Sequence, residues 1–101
     1  WHRALDGDTV LSESSRRKLF TPHVPEDEAG SSHYGYGWAL FTTVRDTRLA
    51  AHDGSNGYFY ADFRRYMDED VLILYVTNDA GAGLRQSHRT LVEAVFSGPV
   101  R

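Results

Sequence analysis

The chain is predicted to be α+β: an antiparallel β-meander of three to four strands with a C-terminal helix packed on one face. Three observations predict it. Strand-like runs follow one another from Tyr34 to Thr77 with short turns between them, which favours antiparallel neighbours over helical crossovers. The run from Leu84 to Ser97 places Leu84, Leu91, Val92, Val95 and Phe96 on one apolar stripe at helical spacing, and such a stripe needs a sheet to lie on. A length of 101 residues, 41% hydrophobic and 25% charged, suits one small globular domain.

The elements follow in order. Trp1 to Leu5 reads as the last turn of a helix closed by Asp6-Gly7, and a chain that opens mid-helix is expected to be a fragment or a processed product. Leu11 to Phe20 is a second helix. Ser12 is its N-cap, Glu13 lies in its first turn, Arg16, Arg17 and Lys18 lie toward its end, and Thr21-Pro22 stops it. His23 to Ser32 is polar, acidic and rich in turn formers, and reads as a surface loop. Tyr34 to Val44 is the first strand, with Gly35 and Gly37 on one face. Arg48 to Gly54 is a short strand ending in His-x-Gly. Tyr58 to Tyr66 is aromatic-rich and turns at Asp68-Glu69-Asp70. Val71 to Thr77 is apolar on both faces, as expected of a central, covered strand. Asn78-Asp79-Ala80-Gly81 then leads into the last helix, with His88 on its exposed or flanking side.

Composition excludes several function classes. A net charge of −3 argues against bulk nucleic-acid binding, which needs a basic face. The longest apolar run, Val71 to Val76, is strand-sized, so no membrane segment is expected. With no cysteine, disulfides and thiolate-ligated metals are out. His2, His23, His33, His52 and His88 form no i, i+4 pair and no cluster with carboxylates at ligand spacing, so no metal site is expected. Glu26-Asp27-Glu28 reads as solvated loop. Arg64 and Arg65, adjacent on a strand, point opposite ways, so one at most faces a given site. Trp38 and its neighbouring tyrosines read as sheet packing.

The candidate chemistry lies around His52-Asp53-Gly54-Ser55-Asn56-Gly57. His52 and Gly54, two apart on a strand, share a face. Gly54 lets a ligand lie flat on the backbone, and Gly57 permits a tight exit turn. A strand edge with free N–H groups can bind an extended substrate or donate to an oxyanion. The same residues also read as plain hairpin chemistry: a satisfied strand histidine, with Asp53-Gly54 and Asn56-Gly57 in turns.

Tyr34-Gly35-Tyr36-Gly37-Trp38, then His52-Asp53-Gly54-Ser55, then a strand ending Tyr75-Val76-Thr77-Asn78, resembles the C-terminal part of the serine β-lactamase-like family. That family includes class C β-lactamases, D-Ala-D-Ala carboxypeptidases, D-aminopeptidases and esterases. The resemblance takes in the helix Leu11 to Phe20 and nearly the whole chain, but only the last third or quarter of a family member. It implies a partial β-lactamase/transpeptidase-like fold, with residues 1–101 a single domain and a C-terminal fragment of a larger serine hydrolase. It implies that His52-Asp53-Gly54 is the family's Lys/His-x-Gly motif. His52 then shapes the field over the nucleophile and contacts substrate or leaving group, Gly54 leaves room for the acyl group, and the Ser55 N–H is an oxyanion donor. His52, Gly54 and Ser55 are thus the catalytic candidates, and His52, Asp53 and Asn56 the substrate-binding ones. Tyr34, Gly35, Gly37 and Trp38 match a supporting strand. The connection Ser55-Asn56-Gly57 is shorter than is common in the family. No cofactor is implied.

The family's other two motifs are missing. A literal Ser-x-x-Lys occurs at Ser15-Arg16-Arg17-Lys18, but its helix carries three consecutive cations, reads as solvated, and leaves no room for a helical domain before His52. No Tyr-x-Asn occurs. Two functions follow. In one, the chain is a wall of a serine hydrolase that acts on an amide, β-lactam or ester and is inactive alone, its nucleophile supplied by the parent protein. In the other, it is a non-catalytic sheet module that binds a partner through an open strand edge. The expected partners are a small-molecule or peptide substrate of the parent enzyme, and the rest of the parent chain or a second copy. Family members are often periplasmic or secreted; these residues do not fix a compartment.

Overall fold

In the computed structural model, which describes residues 2–79, 81 and 83–97, the strand-like runs form one six-stranded sheet. The strands are β1 (Val24–Pro25), β2 (Ser32–Tyr34), β3 (Ala39–Thr42), β4 (Arg48–Ser55), β5 (Tyr60–Tyr66) and β6 (Val71–Thr77). Each pairs antiparallel with the next, in sequence order. Three helices complete the fold: α1 (His2–Asp6), α2 (Glu13–Leu19) and α3 (Leu84–Phe96). The α+β meander and its C-terminal helix are as expected, but six strands replace three to four. Trp1 and Ala80 lie outside the described residues.

The extra strands come from two places. Val24–Pro25 is exposed on both faces and shows no apolar alternation. Backbone bonds alone make it a strand, with the His23 N–H donating to the Tyr34 carbonyl at 3.1 Å and the Glu26 N–H to that of Ser32 at 3.0 Å. The run expected as one strand from Tyr34 to Val44 is folded in two. The Gly35 N–H donates to the Trp38 carbonyl at 2.8 Å, and Gly37 turns the chain at φ +80°. Gly35 also sits against the end of α2: a Cβ there would lie 2.7 Å from the Leu19 carbonyl oxygen. Gly35 and Gly37 therefore belong to a turn, not to one face of a strand.

On one face of the sheet, Leu49, Ala51, Tyr66 and Ile73 form a core capped by Val92 and Phe96 of α3 and by Val71. The Tyr66 and Phe96 rings meet edge to face at 4.6 Å, and the Arg45 guanidinium lies 3.7 Å from the Phe96 centroid. The contact stripe of α3 differs from the expected one. Leu91 and Val95 are exposed, and His88 is the buried residue of the helix. Helical geometry puts His88 in line with Leu84, Val92 and Phe96 at steps of four, whereas Leu91 and Val95 lag by a residue and rotate outward.

The opposite face is half covered. Phe20 at the end of α2 packs on Trp38, which packs on Phe63, at centroid distances of 5.8 and 5.6 Å. Arg65 is buried there, ion-paired with Asp6 of α1 and stacked 4.9 Å from the Phe20 centroid. Toward β6 this cover ends. Leu72, Leu74 and Val76 form an exposed apolar row on a strand that is the sheet's edge among the described residues. The strand expected to be central and covered is thus an edge strand with one bare face.

Candidate functional site

The second half of β4 has an unusual environment. Its partner β3 ends at Ala39, opposite Ala51, so residues 52–55 have no strand beside them on that side among the described residues. Which backbone groups face the gap follows from the ladder. The Met67 N–H donates to the Arg48 carbonyl at 2.9 Å, and at the other end the Asn56 N–H donates to the Phe59 carbonyl at 3.3 Å. The even-numbered residues of β4 therefore bond toward β5, and the odd-numbered ones point the other way. Leu49 and Ala51 meet β3 there. Asp53 and Ser55 turn their N–H and C=O groups to the open edge.

The side chains sort by the same alternation. His52 and Gly54 lie on the half-covered face, opposite Phe63 and Ala61 of β5. His52 is exposed and borders a shallow, open depression of about 380 Å³ lined by Tyr36, Gly37, Trp38 and Phe63. Its ring is held: Nδ1 lies 2.8 Å from the Gly37 carbonyl oxygen and 3.5 Å from the Tyr34 hydroxyl. An ideal Cβ at Gly54 would meet nothing within 4 Å.

The Asp53 and Ser55 side chains project to the α3 face, away from the His52 ring. The Asp53 carboxylate accepts a long bond, 3.4 Å, from the Tyr60 hydroxyl. The Ser55 hydroxyl accepts from the Gly57 N–H at 3.1 Å, and the Asn56 side-chain oxygen accepts from the N–H groups of Tyr58 and Phe59 at 3.0 and 2.9 Å. With Gly57 at φ +90°, these bonds set the β4–β5 turn. Of the substrate-binding candidates, then, His52 lines the depression, Asp53 lies behind the sheet, and the Asn56 oxygen is engaged in the turn.

A second polar group, not anticipated from the sequence, lies behind the sheet. Asp62 is buried, accepts from the Tyr60 hydroxyl at 2.9 Å, and pairs with Arg64 at 3.1 Å and with the His88 ring at 3.4 Å. Burial, reinforced by the bond to Asp62, pushes the Tyr60 phenol up to about 12. Burial first, then the Arg64 charge, holds His88 below the usual imidazole range, against the pull of Asp62. A cavity of about 670 Å³ opens beside this group, larger than the depression at His52. The Asp62 carboxylate at its core is already engaged by Tyr60, Arg64 and His88, so size does not mark it as the reactive site. The signal for this group was an aspartate inside an aromatic strand and a histidine one turn after Leu84.

Ser15 is exposed. Its N–H donates to the Ser12 hydroxyl at 3.2 Å, and its own hydroxyl accepts from Ser12 at 3.0 Å. The Ser-x-x-Lys segment thus runs along a short, N-capped helix with no buried residue, its Arg16, Arg17 and Lys18 in the last turn. Among the described residues no three His, Asp or Glu side chains are placed to hold a metal ion.

One solved structure is similar over 93% of this chain: a penicillin binding protein from Bacillus halodurans, with a TM-score of 0.74 and 21% sequence identity. The chain has the fold of part of a penicillin-binding protein. It spans 28% of that protein's chain. No protein-family model and no curated protein matches it.

Proposed function

We propose that this chain is one wall of the acyl-transfer cleft of a β-lactamase-like serine hydrolase, acting on an amide, β-lactam or ester. The observation that carries the reading is the open half of β4. There the outward N–H of Ser55 lies three residues beyond a side chain, His52, whose ring is anchored to a neighbouring turn. In the reaction, a serine from outside these residues attacks the substrate carbonyl. Ser55 donates its N–H to the developing oxyanion, and the leaving group departs with a proton to give an acyl-enzyme. Water then attacks the acyl carbon and releases the acid. Gly54, with empty space where its side chain would stand, leaves room for the acyl group. His52 faces the substrate from the same side of the strand. Asp53 and Asn56 contribute through the backbone edge and the turn that ends it.

The test is intact-mass spectrometry after exposure to a fluorophosphonate or a reactive β-lactam. A covalent adduct is expected on the parent protein and none on these 101 residues alone. An adduct on this chain alone means that it carries its own nucleophile, which reopens Ser15. No adduct on either moves the reading to the second one, a sheet module that binds a partner by its edge. The bare row Leu72, Leu74 and Val76 favours that reading independently.

A further inference from the structure

We infer that the carbonyl of Gly37 is the positioning group for His52, holding its ring in the Nδ1–H tautomer and leaving Nε2 as the acceptor that faces the cleft. Two distances decide the tautomer. At 2.8 Å from a carbonyl oxygen, Nδ1 must carry a hydrogen, because the alternative sets two lone pairs against each other. The Tyr34 hydroxyl, at 3.5 Å from the same nitrogen, is at the limit of a hydrogen bond and does not compete. The Gly37 carbonyl reaches this position because the chain turns there at φ +80°, after Gly35 has been pressed against the end of α2. The Tyr-Gly-Tyr-Gly-Trp segment is therefore more than a supporting strand: its second glycine aims a fixed dipole at His52.

The role of that tautomer rests on the serine-hydrolase reading. A neutral ring with hydrogen on Nδ1 offers the cleft only a lone pair at Nε2. It accepts a hydrogen from an N–H or O–H of nucleophile, substrate or leaving group. It can donate to a substrate carboxylate only as imidazolium. Orientation by an accepting partner on the far nitrogen is the general way a reactive imidazole is prepared, here with a backbone carbonyl as the partner.

The tautomer is readable without any substrate. Histidine ring nitrogens are labelled with 15N in the protein at its natural length, and each ring is observed in its neutral form. His52 is expected to show a protonated Nδ1 and an unprotonated Nε2. Gly37→Ala strains the turn and should shift His52 toward the Nε2–H form. Gly30→Ala, which places the same strain at a φ of +66° in another loop, should leave it unchanged. If Gly37→Ala does not fold, His52→Ala replaces it: the Gly37 carbonyl carbon signal should move and the Gly30 signal should not. An Nε2–H form in the unmodified protein overturns the inference. So does a folded Gly37→Ala protein with an unchanged His52, or a Gly37 carbonyl insensitive to His52→Ala. Absence of acylation in the mass experiment, with the expected tautomer present, removes the hydrolase reading and leaves the positioning contact standing.

Discussion

At the scale of single residues, two glycines separate packing from function. Gly35 is required by contact, since a methyl group there would stand 2.7 Å from a backbone oxygen that cannot move aside cheaply. Gly54 has open space where a methyl group would go. Gly35→Ala is therefore expected to destabilise the fold by roughly 1–3 kcal/mol, as overpacking does. Gly54→Ala is expected to be neutral or stabilising by up to about 1 kcal/mol, because alanine is the better strand residue. On the proposed hydrolase reading, Gly54→Ala should also slow acylation of the parent protein by about tenfold or more, ~1.4 kcal/mol in the barrier. Urea midpoints and acylation rates measured on both variants check the pair. A Gly54→Ala protein of normal reactivity would remove the strand from the cleft.

At the scale of elements, α3 is held partly by a polar contact. His88 sits on the buried side of the helix, 3.4 Å from Asp62 and stacked on Tyr75. Its folded-state titration lies below its unfolded one, with burial the main cause. Above the unfolded value, near 6.5, both states are neutral there and the residue adds no pH dependence. As pH falls through that value the unfolded chain takes up a proton first, so stability declines until the folded form is protonated as well. The urea midpoint is expected to drop as pH falls through the unfolded value, near 6.5, and to drop less in His88→Gln, which keeps a donor for Asp62 but does not titrate. An equal drop in both proteins would assign the effect to other groups.

At the scale of the whole molecule, the sheet has one capped face and one half-bare one. Among the described residues β6 is the edge strand, with no strand beyond it, and it carries the exposed Leu72, Leu74 and Val76. Such an edge invites pairing with another strand. On its own the chain is expected to self-associate at tens of micromolar. Leu74→Lys, at the centre of the row and 58% exposed, should shift it toward monomer without unfolding it. Light scattering beside circular dichroism reads both. A monomer before substitution would mean that the edge is protected by other means.

Much of this was legible in residue order alone. The capped helix at Ser12, the strand Val71–Thr77 and the last helix were all readable, because caps, apolar runs and helical periodicity are local signals. So was the placing of His52 and Gly54 on one face, since strand alternation needs no tertiary information. Other features required the fold. The strand Val24–Pro25 exists only because Ser32 and Tyr34 return beside it. The burial of His88 depends on Asp62 waiting across the helix–sheet interface. The open edge at Ser55 depends on β3 stopping at Ala39, and the hold on His52 depends on a carbonyl fifteen residues away. Sequence patterns report what a segment does with its own neighbours; pairing, burial and hydrogen-bond partners are set by segments far along the chain, and only the folded arrangement brings them together.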